Sequence, residues 1–228
     1  PYRDAMENKY QWCIAAVPGK KWAKKVFPNL SVSQAMEKLW EAILYTSRVE
    51  GNPIEAWKKH NEDLLHRCNY LNGLNLKSLT YKASNGTDFT VGLIENALFI
   101  GGGEETLDNK VYFNPNIPSE ECFTTPKRGD IEGIVYSSKP LSYKGQLIEN
   151  FWIKFEHGKV VDVHAEKNEH VLREMVSMDE GAAMLGEVAL IPYDSPISNL
   201  NILFYNTLFD ENASCHLALG MGFPNCIK

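Results

Sequence analysis

The chain has 228 residues, 44% hydrophobic, 11% aromatic and 23% charged, which excludes a disordered tail, a collagen-like fibre and a coiled coil and leaves one large domain or two small ones. Its 23 Lys and Arg against 29 Asp and Glu give a net charge of −6, the wrong balance for a phosphate-backbone partner, because nucleic-acid binding rests on clustered basic charge. No apolar run reaches the roughly 18 residues of a membrane span and no secretory signal is visible, while the cysteines (Cys13, Cys68, Cys122, Cys215, Cys226) are odd in number, scattered and never in a CxxC pair, as expected of reduced thiols in a cytoplasmic protein.

The first predicted element is a short strand over the apolar run 13–17, closed by Pro18-Gly19. Ser31 then offers an N-cap with Gln34 three residues on, and Ala35, Leu39, Ala42, Ile43 and Thr46 recur at helical spacing. A second helix starts at Asn52-Pro53, with Ile54, Trp57, Leu64, Leu65 and Cys68 on its buried side, and ends near Asn72-Gly73. From Leu76 the period becomes that of strands. Residues 76–83 and 88–93 flank Ser84-Asn85-Gly86 as a hairpin with a type I′ turn. Gly101-Gly102-Gly103 lacks the Lys-Ser/Thr of a phosphate cradle and reads as a loop. Strands are expected over 133–138, 146–155, 159–165, 186–191 and 201–209, with a short helix over 168–178 and a helix start at Asp210. The fold class is therefore α+β: N-terminal helices and strands, then a largely antiparallel β region. The expected division is a helical or mixed region over 1–75 and a β-rich region over 76–228. Pro1 at one end and Cys226-Ile227-Lys228 at the other read as cut ends of a longer chain.

Three segments carry residues that can do chemistry. In Ile117-Pro118-Ser119-Glu120-Glu121-Cys122-Phe123-Thr124-Thr125-Pro126, two adjacent carboxylates lie between prolines, readable as a solvated acidic loop or as ligands. In Leu185-Gly186-Glu187-Val188-Ala189-Leu190, Glu187 interrupts an apolar strand, so it either faces water or meets a cation. In Asp210-Glu211-Asn212-Ala213-Ser214-Cys215-His216, Asp210 reads as a helix cap. Glu211 and His216 are five apart and share no helical face, yet they can converge if Glu211 precedes a helix that contains His216. The other histidines (His60, His66, His157, His164, His170) show no partner pattern. No GxSxG, HExxH or cysteine-metal spacing occurs. These residues alone reach as far as a carboxylate and histidine metal site.

Four stretches together resemble the thermophilic metallo-aminopeptidase family typified by aminopeptidase T, AmpS and PepS. They are Asn116-Ile117-Pro118-Ser119-Glu120-Glu121-Cys122-Phe123-Thr124, Ser138-Lys139-Pro140-Leu141-Ser142-Tyr143, Leu185-Gly186-Glu187-Val188-Ala189-Leu190 and Asn206-Thr207-Leu208-Phe209-Asp210-Glu211-Asn212-Ala213-Ser214-Cys215-His216. Likeness also runs through Trp57-Lys58-Lys59-His60 and Gly86-Thr87-Asp88, so it spans nearly the whole chain. The resemblance implies a site with two divalent metal ions. Glu121 is then a ligand, with Glu120 the alternative, Glu187 a ligand bridging both ions, and His216 a third. Glu211 matches the catalytic carboxylate that takes a proton from the attacking water. A thiolate-free carboxylate and imidazole set suits zinc or cobalt, with manganese or magnesium as alternatives. The resemblance implies that the site lies in the 76–228 region of a homodimeric aminopeptidase acting on peptides with a free N-terminus, and the thiols suit a cytoplasmic one.

Two departures from the family pattern stand out. Where the family has a Tyr seven residues after the His, this chain has Phe223; one lost oxyanion donor costs about 100- to 1000-fold in turnover. The family's last ligands form a His-x-Asp pair that the chain does not reach before Lys228, and the resemblance puts Pro1 inside the family's sequence. Incomplete metal binding and weak activity of this chain are therefore expected. The alternatives are a non-catalytic peptide-binding or dimerisation fragment and a hydrolase of the same site chemistry acting on another amide.

Overall fold

The computed structural model describes residues 4, 5 and 7–227. Helices α1 (Lys20–Val26), α2 (Val32–Thr46) and α3 (Pro53–Gly73) come first. Strands β1 (Ser78–Lys82), β2 (Asp88–Leu93), β3 (Glu104–Glu105), β4 (Tyr112–Phe113) and β5 (Cys122–Thr124) follow. Then come β6 (Pro126–Tyr136), β7 (Leu141–Tyr143), β8 (Gln146–Glu156) and β9 (Lys159–Lys167). The chain continues through α4 (Glu169–Val176), β10 (Leu185–Leu190), α5 (Pro196–Leu200), α6 (Thr207–Glu211) and β11 (His216–Leu219). This is an α+β fold. No helix among the described residues is long and apolar enough to cross a membrane.

The chain divides into two compact units, each assembled from three stretches. The N-terminal helices give way to strands between Gly73, the end of α3, and Ser78, the start of β1.

The first unit comprises Pro1–Arg67, Gly101–Cys122 and Ile191–Cys215. Ser31 caps α2 in a capping box: its hydroxyl accepts from the Gln34 N–H at 3.3 Å, and the Gln34 side chain accepts from the Ser31 N–H at 3.2 Å. The expected apolar line of α2 (Ala35, Leu39, Ala42, Ile43) is buried against Ala23, Ile197, Phe204, Phe209 and Ala213. Phe204 and Phe209 stack at 4.7 Å, the kind of burial that supplies most of a helix layer's stability. On α3 the inward line is narrower than expected. His60, Leu64 and Cys68, four residues apart, are buried, whereas Ile54 and Leu65 are exposed.

The second unit comprises Cys68–Ile100, Phe123–Leu190 and His216–Lys228. A six-stranded antiparallel sheet runs β1-β2-β6-β8-β7, with β9 also on β8. Its buried side includes Phe89, Val91, Ile131 and Phe155, and α4 covers Ile148, Val163 and Ala165 with Val171 and Leu172. A second sheet has the order β11-β10-β5.

Four local expectations are corrected. The run 13–17 forms no strand; Ile14 alone makes a parallel bridge to Asn116, because one short apolar run with no second pairing partner cannot propagate a ladder. The β1–β2 turn is not type I′: Gly86 donates to the Ala83 carbonyl at 3.2 Å and only Gly86 in the turn has positive φ (102°), a type I turn with a glycine bulge. Residues 201–209 are not a strand. Asn201 ends α5 in the left-handed conformation, and Asn206 starts α6 by accepting from the Leu208 N–H. Asp210, expected at a helix start, lies inside α6 and accepts from the N–H groups of Phe204 (2.7 Å) and Asn206 (3.0 Å). Side-chain acceptors there outcompete a sheet ladder.

Candidate metal centre

The three-stranded sheet carries the site. Glu187 stands on β10 among buried Gly186, Val188 and Ala189, itself half-buried. In the β10–β11 register, Glu187 faces Ala218 and Ala189 faces His216. Residues two apart on a strand share a face, so Glu187 and His216 are diagonal neighbours on one face, within reach of each other. The register shifts between Leu185 and Glu187; a bulge of this kind re-aims the side chain beside it. Glu121 directly precedes β5 and is buried. One ligand atom from each of Glu121, Glu187 and His216 lies within 4.8 Å of the others.

That donor set fits a divalent cation. With ligand bonds of about 2.0–2.2 Å, donor atoms around one ion stand at most about 4.4 Å apart, so small side-chain adjustments close the set. Two carboxylates this near repel each other, and a divalent ion between them removes the repulsion. Two carboxylates with an imidazole suit zinc, cobalt or manganese better than soft-metal chemistry.

The other residues singled out in the sequence take different places. Glu120 is 2% exposed and held by Arg48, whose Nη1 and Nη2 donate to its two oxygens at 2.5 and 2.9 Å. Its N–H donates to Asn212 Oδ1 at 2.7 Å. Glu211 is the last residue of α6, half-buried, five positions before His216, which starts β11 rather than lying in a helix. Phe223 meets Phe123 edge-on at 4.9 Å. Its N–H donates to Thr125 Oγ1 at 2.7 Å, and its carbonyl accepts from the same hydroxyl at 3.2 Å. A cleft of about 740 Å³ in the second unit is lined by Met175, Met178, Met184 and Met221 with Arg128 and Tyr143, and neither Glu187 nor His216 lines it.

Arg48, Asn212 and His60 had no role assigned from the sequence. His60 is buried, and its Nε2–H donates to the Ser119 carbonyl at 2.7 Å. Burial, helped by the nearby Arg48, pushes its pKa down from the ordinary histidine value. Asn212 and His60 lie in stretches that resemble the family, Arg48 in none, and no local pattern marks what any of them holds. Each acts through a partner at least 59 positions away.

Residues 2–228 match the thermophilic metalloprotease (M29) peptidase family. The chain is 46% identical over 224 residues to aminopeptidase AmpS of Bacillus subtilis (strain 168), covering 97% of this chain and 54% of that protein. It is 44% identical over 218 residues to aminopeptidase T of Thermus aquaticus, covering 95% and 53%. The solved structure of wild-type AmpT from Thermus thermophilus superposes with a TM-score of 0.92 at 41% identity, covering 100% of this chain and 55% of that one. The chain thus spans about half the length of the relatives it matches.

Proposed function

Because the chain belongs to the thermophilic metalloprotease (M29) family, we propose that it is part of a metal-dependent aminopeptidase that releases N-terminal residues from peptides. The observation that carries this reading is the meeting of Glu121, Glu187 and His216. We propose two divalent ions, zinc or cobalt, that Glu121, Glu187 and His216 would hold, with the family's His-x-Asp pair completing the set in the whole protein. Bound there, such ions would supply an acidified water and Lewis-acid polarisation of the scissile carbonyl.

The chain's own residues have separate tasks in this reading. Glu121, Glu187 and His216 hold the ions. Glu211 takes the proton from the attacking water and returns it to the leaving amine. A requirement for a free amine makes the enzyme an exopeptidase. A cytoplasmic homodimer is proposed with it; the free cysteines Cys13, Cys68, Cys122, Cys215 and Cys226 suit a reducing compartment.

The test compares leucine release from a Leu-peptide and from its N-acetylated twin, using protein reloaded with cobalt or zinc. Cleavage of the free peptide only is expected. Equal cleavage of both, or of neither by the whole protein, overturns the reading. A second reading, a peptide-binding fragment without turnover, is favoured by one observation, Phe223 at the family's Tyr position; binding of the free peptide without cleavage is its signature.

A further inference from the structure

Resting on Glu121 as a metal ligand, we propose that Arg48 and Asn212 are positioning residues that withhold Glu120 from the metal and turn the backbone so that Glu121 is the carboxylate presented to it. Glu120 and Glu121 are chemically alike and adjacent. On extended chain their side chains leave on opposite sides, so which one meets the ion depends on how the backbone is turned, and a shift of one residue exchanges them.

Several contacts remove that freedom. The Arg48 fork engages both Glu120 oxygens, at 2.5 and 2.9 Å. A bidentate pair of this kind occupies the carboxylate, and the guanidinium charge beside it repels a cation. Asn212, 0% exposed, holds the Glu120 N–H at 2.7 Å, while its Nδ2 donates to the Leu208 carbonyl at 2.9 Å and its own carbonyl accepts from Ser195 Oγ at 3.0 Å. The Ser119 carbonyl is taken by His60. Residues 119 and 120 are therefore tied at main-chain atoms immediately before the ligand. Asn212 is also the neighbour of Glu211, so one buried amide links the backbone of the ligand segment to the helix that carries the proposed base.

Arg48 itself occupies an unfavourable backbone setting. It follows the C-cap Ser47 of α2 with φ of 55°, a position where glycine is the usual choice. An arginine kept there is accounted for by what its side chain holds.

The experiment titrates the metal-free full chain with cobalt(II), read by calorimetry and by the visible bands of the bound ion, with melting temperature measured alongside. Arg48→Met alone leaves Glu120 buried without its partner and is expected to fold poorly. The paired variant Arg48→Met/Glu120→Met removes both charges, and Arg48→Lys keeps the charge but loses the fork. Both are expected to melt near wild type while binding cobalt about 10- to 100-fold more weakly, with shifted bands, as changes behind a ligand do. Wild-type affinity and spectrum in both variants overturn the proposal and leave the pair a structural one. If Glu121→Gln binds cobalt as the unaltered chain does, the metal reading itself has failed instead.

Discussion

A Cβ on Gly186 would stand 2.3 Å from the Met221 carbonyl oxygen and 2.8 Å from that of Gly220. Backbone fills this space, and no side-chain rotation relieves the clash. Gly186 lies within the register shift that aims Glu187, so it permits both the close approach and the bulge. Gly186→Ala is expected to cost about 1–3 kcal/mol by overpacking and to weaken cobalt binding through Glu187. Denaturant unfolding and a cobalt titration check this; an unaltered variant in both would mean that the bulge does not aim the carboxylate.

Glu211→Gln separates catalysis from metal binding. Removing a general base commonly costs about 100- to 10,000-fold in rate, while Glu121, Glu187 and His216 remain in place. Leucine release at saturating metal should fall by that factor with cobalt affinity unchanged. A parallel loss of affinity would make Glu211 a ligand.

Phe223 permits a gain-of-function test. Thr125 holds its backbone at both N–H and carbonyl, and its ring rests edge-on against Phe123, so Phe223→Tyr adds a hydroxyl with the segment still anchored. If that hydroxyl supplies an oxyanion donor, turnover should rise toward the roughly 100- to 1000-fold such a donor is worth, in kcat more than in KM. An unchanged kcat would show that another group fills the role.

Acid stability should depend on Glu169. The Arg173 side chain, then the Ala165 N–H and His164, pull its pKa from 4.5 to about 2. A carboxylate whose folded pKa is depressed contributes stability above its unfolded value and loses it as pH falls. The contribution is present above about pH 4.5 and fades through the window down to about pH 2. Melting curves of wild type and Glu169→Gln should differ at neutral pH and converge toward pH 2; a constant difference would refute the linkage.

Periodicity reads elements whose patterns are local. The Ser31/Gln34 cap and the apolar line of α2 are legible because both lie within a few turns of one helix, and the β1–β2 and β8–β9 pairings follow from alternation and short turns. The same reasoning fails over 201–209, where Asn206 and Asp210 give the backbone partners that an alternating pattern does not reveal. It also fails over 13–17, where an apolar run lacks a second pairing partner. Ile54 and Leu65 show the limit for α3: their apolarity is visible, but which side of the helix is covered is not.

Periodicity established the α+β class, and the likeness of the stretches that hold Glu121, Glu187, Glu211 and His216 to known ones established the family. The resemblance preferred Glu121 to Glu120, and the tertiary structure supplies the physical difference between them, with Glu121 near Glu187 and His216. Adjacent like residues are equivalent in a linear pattern. They become different once Arg48, 72 positions away, and Asn212, 92 positions away, hold one of them. Contacts at such separation leave no period in the sequence, because chain folding, not local propensity, brings their partners together.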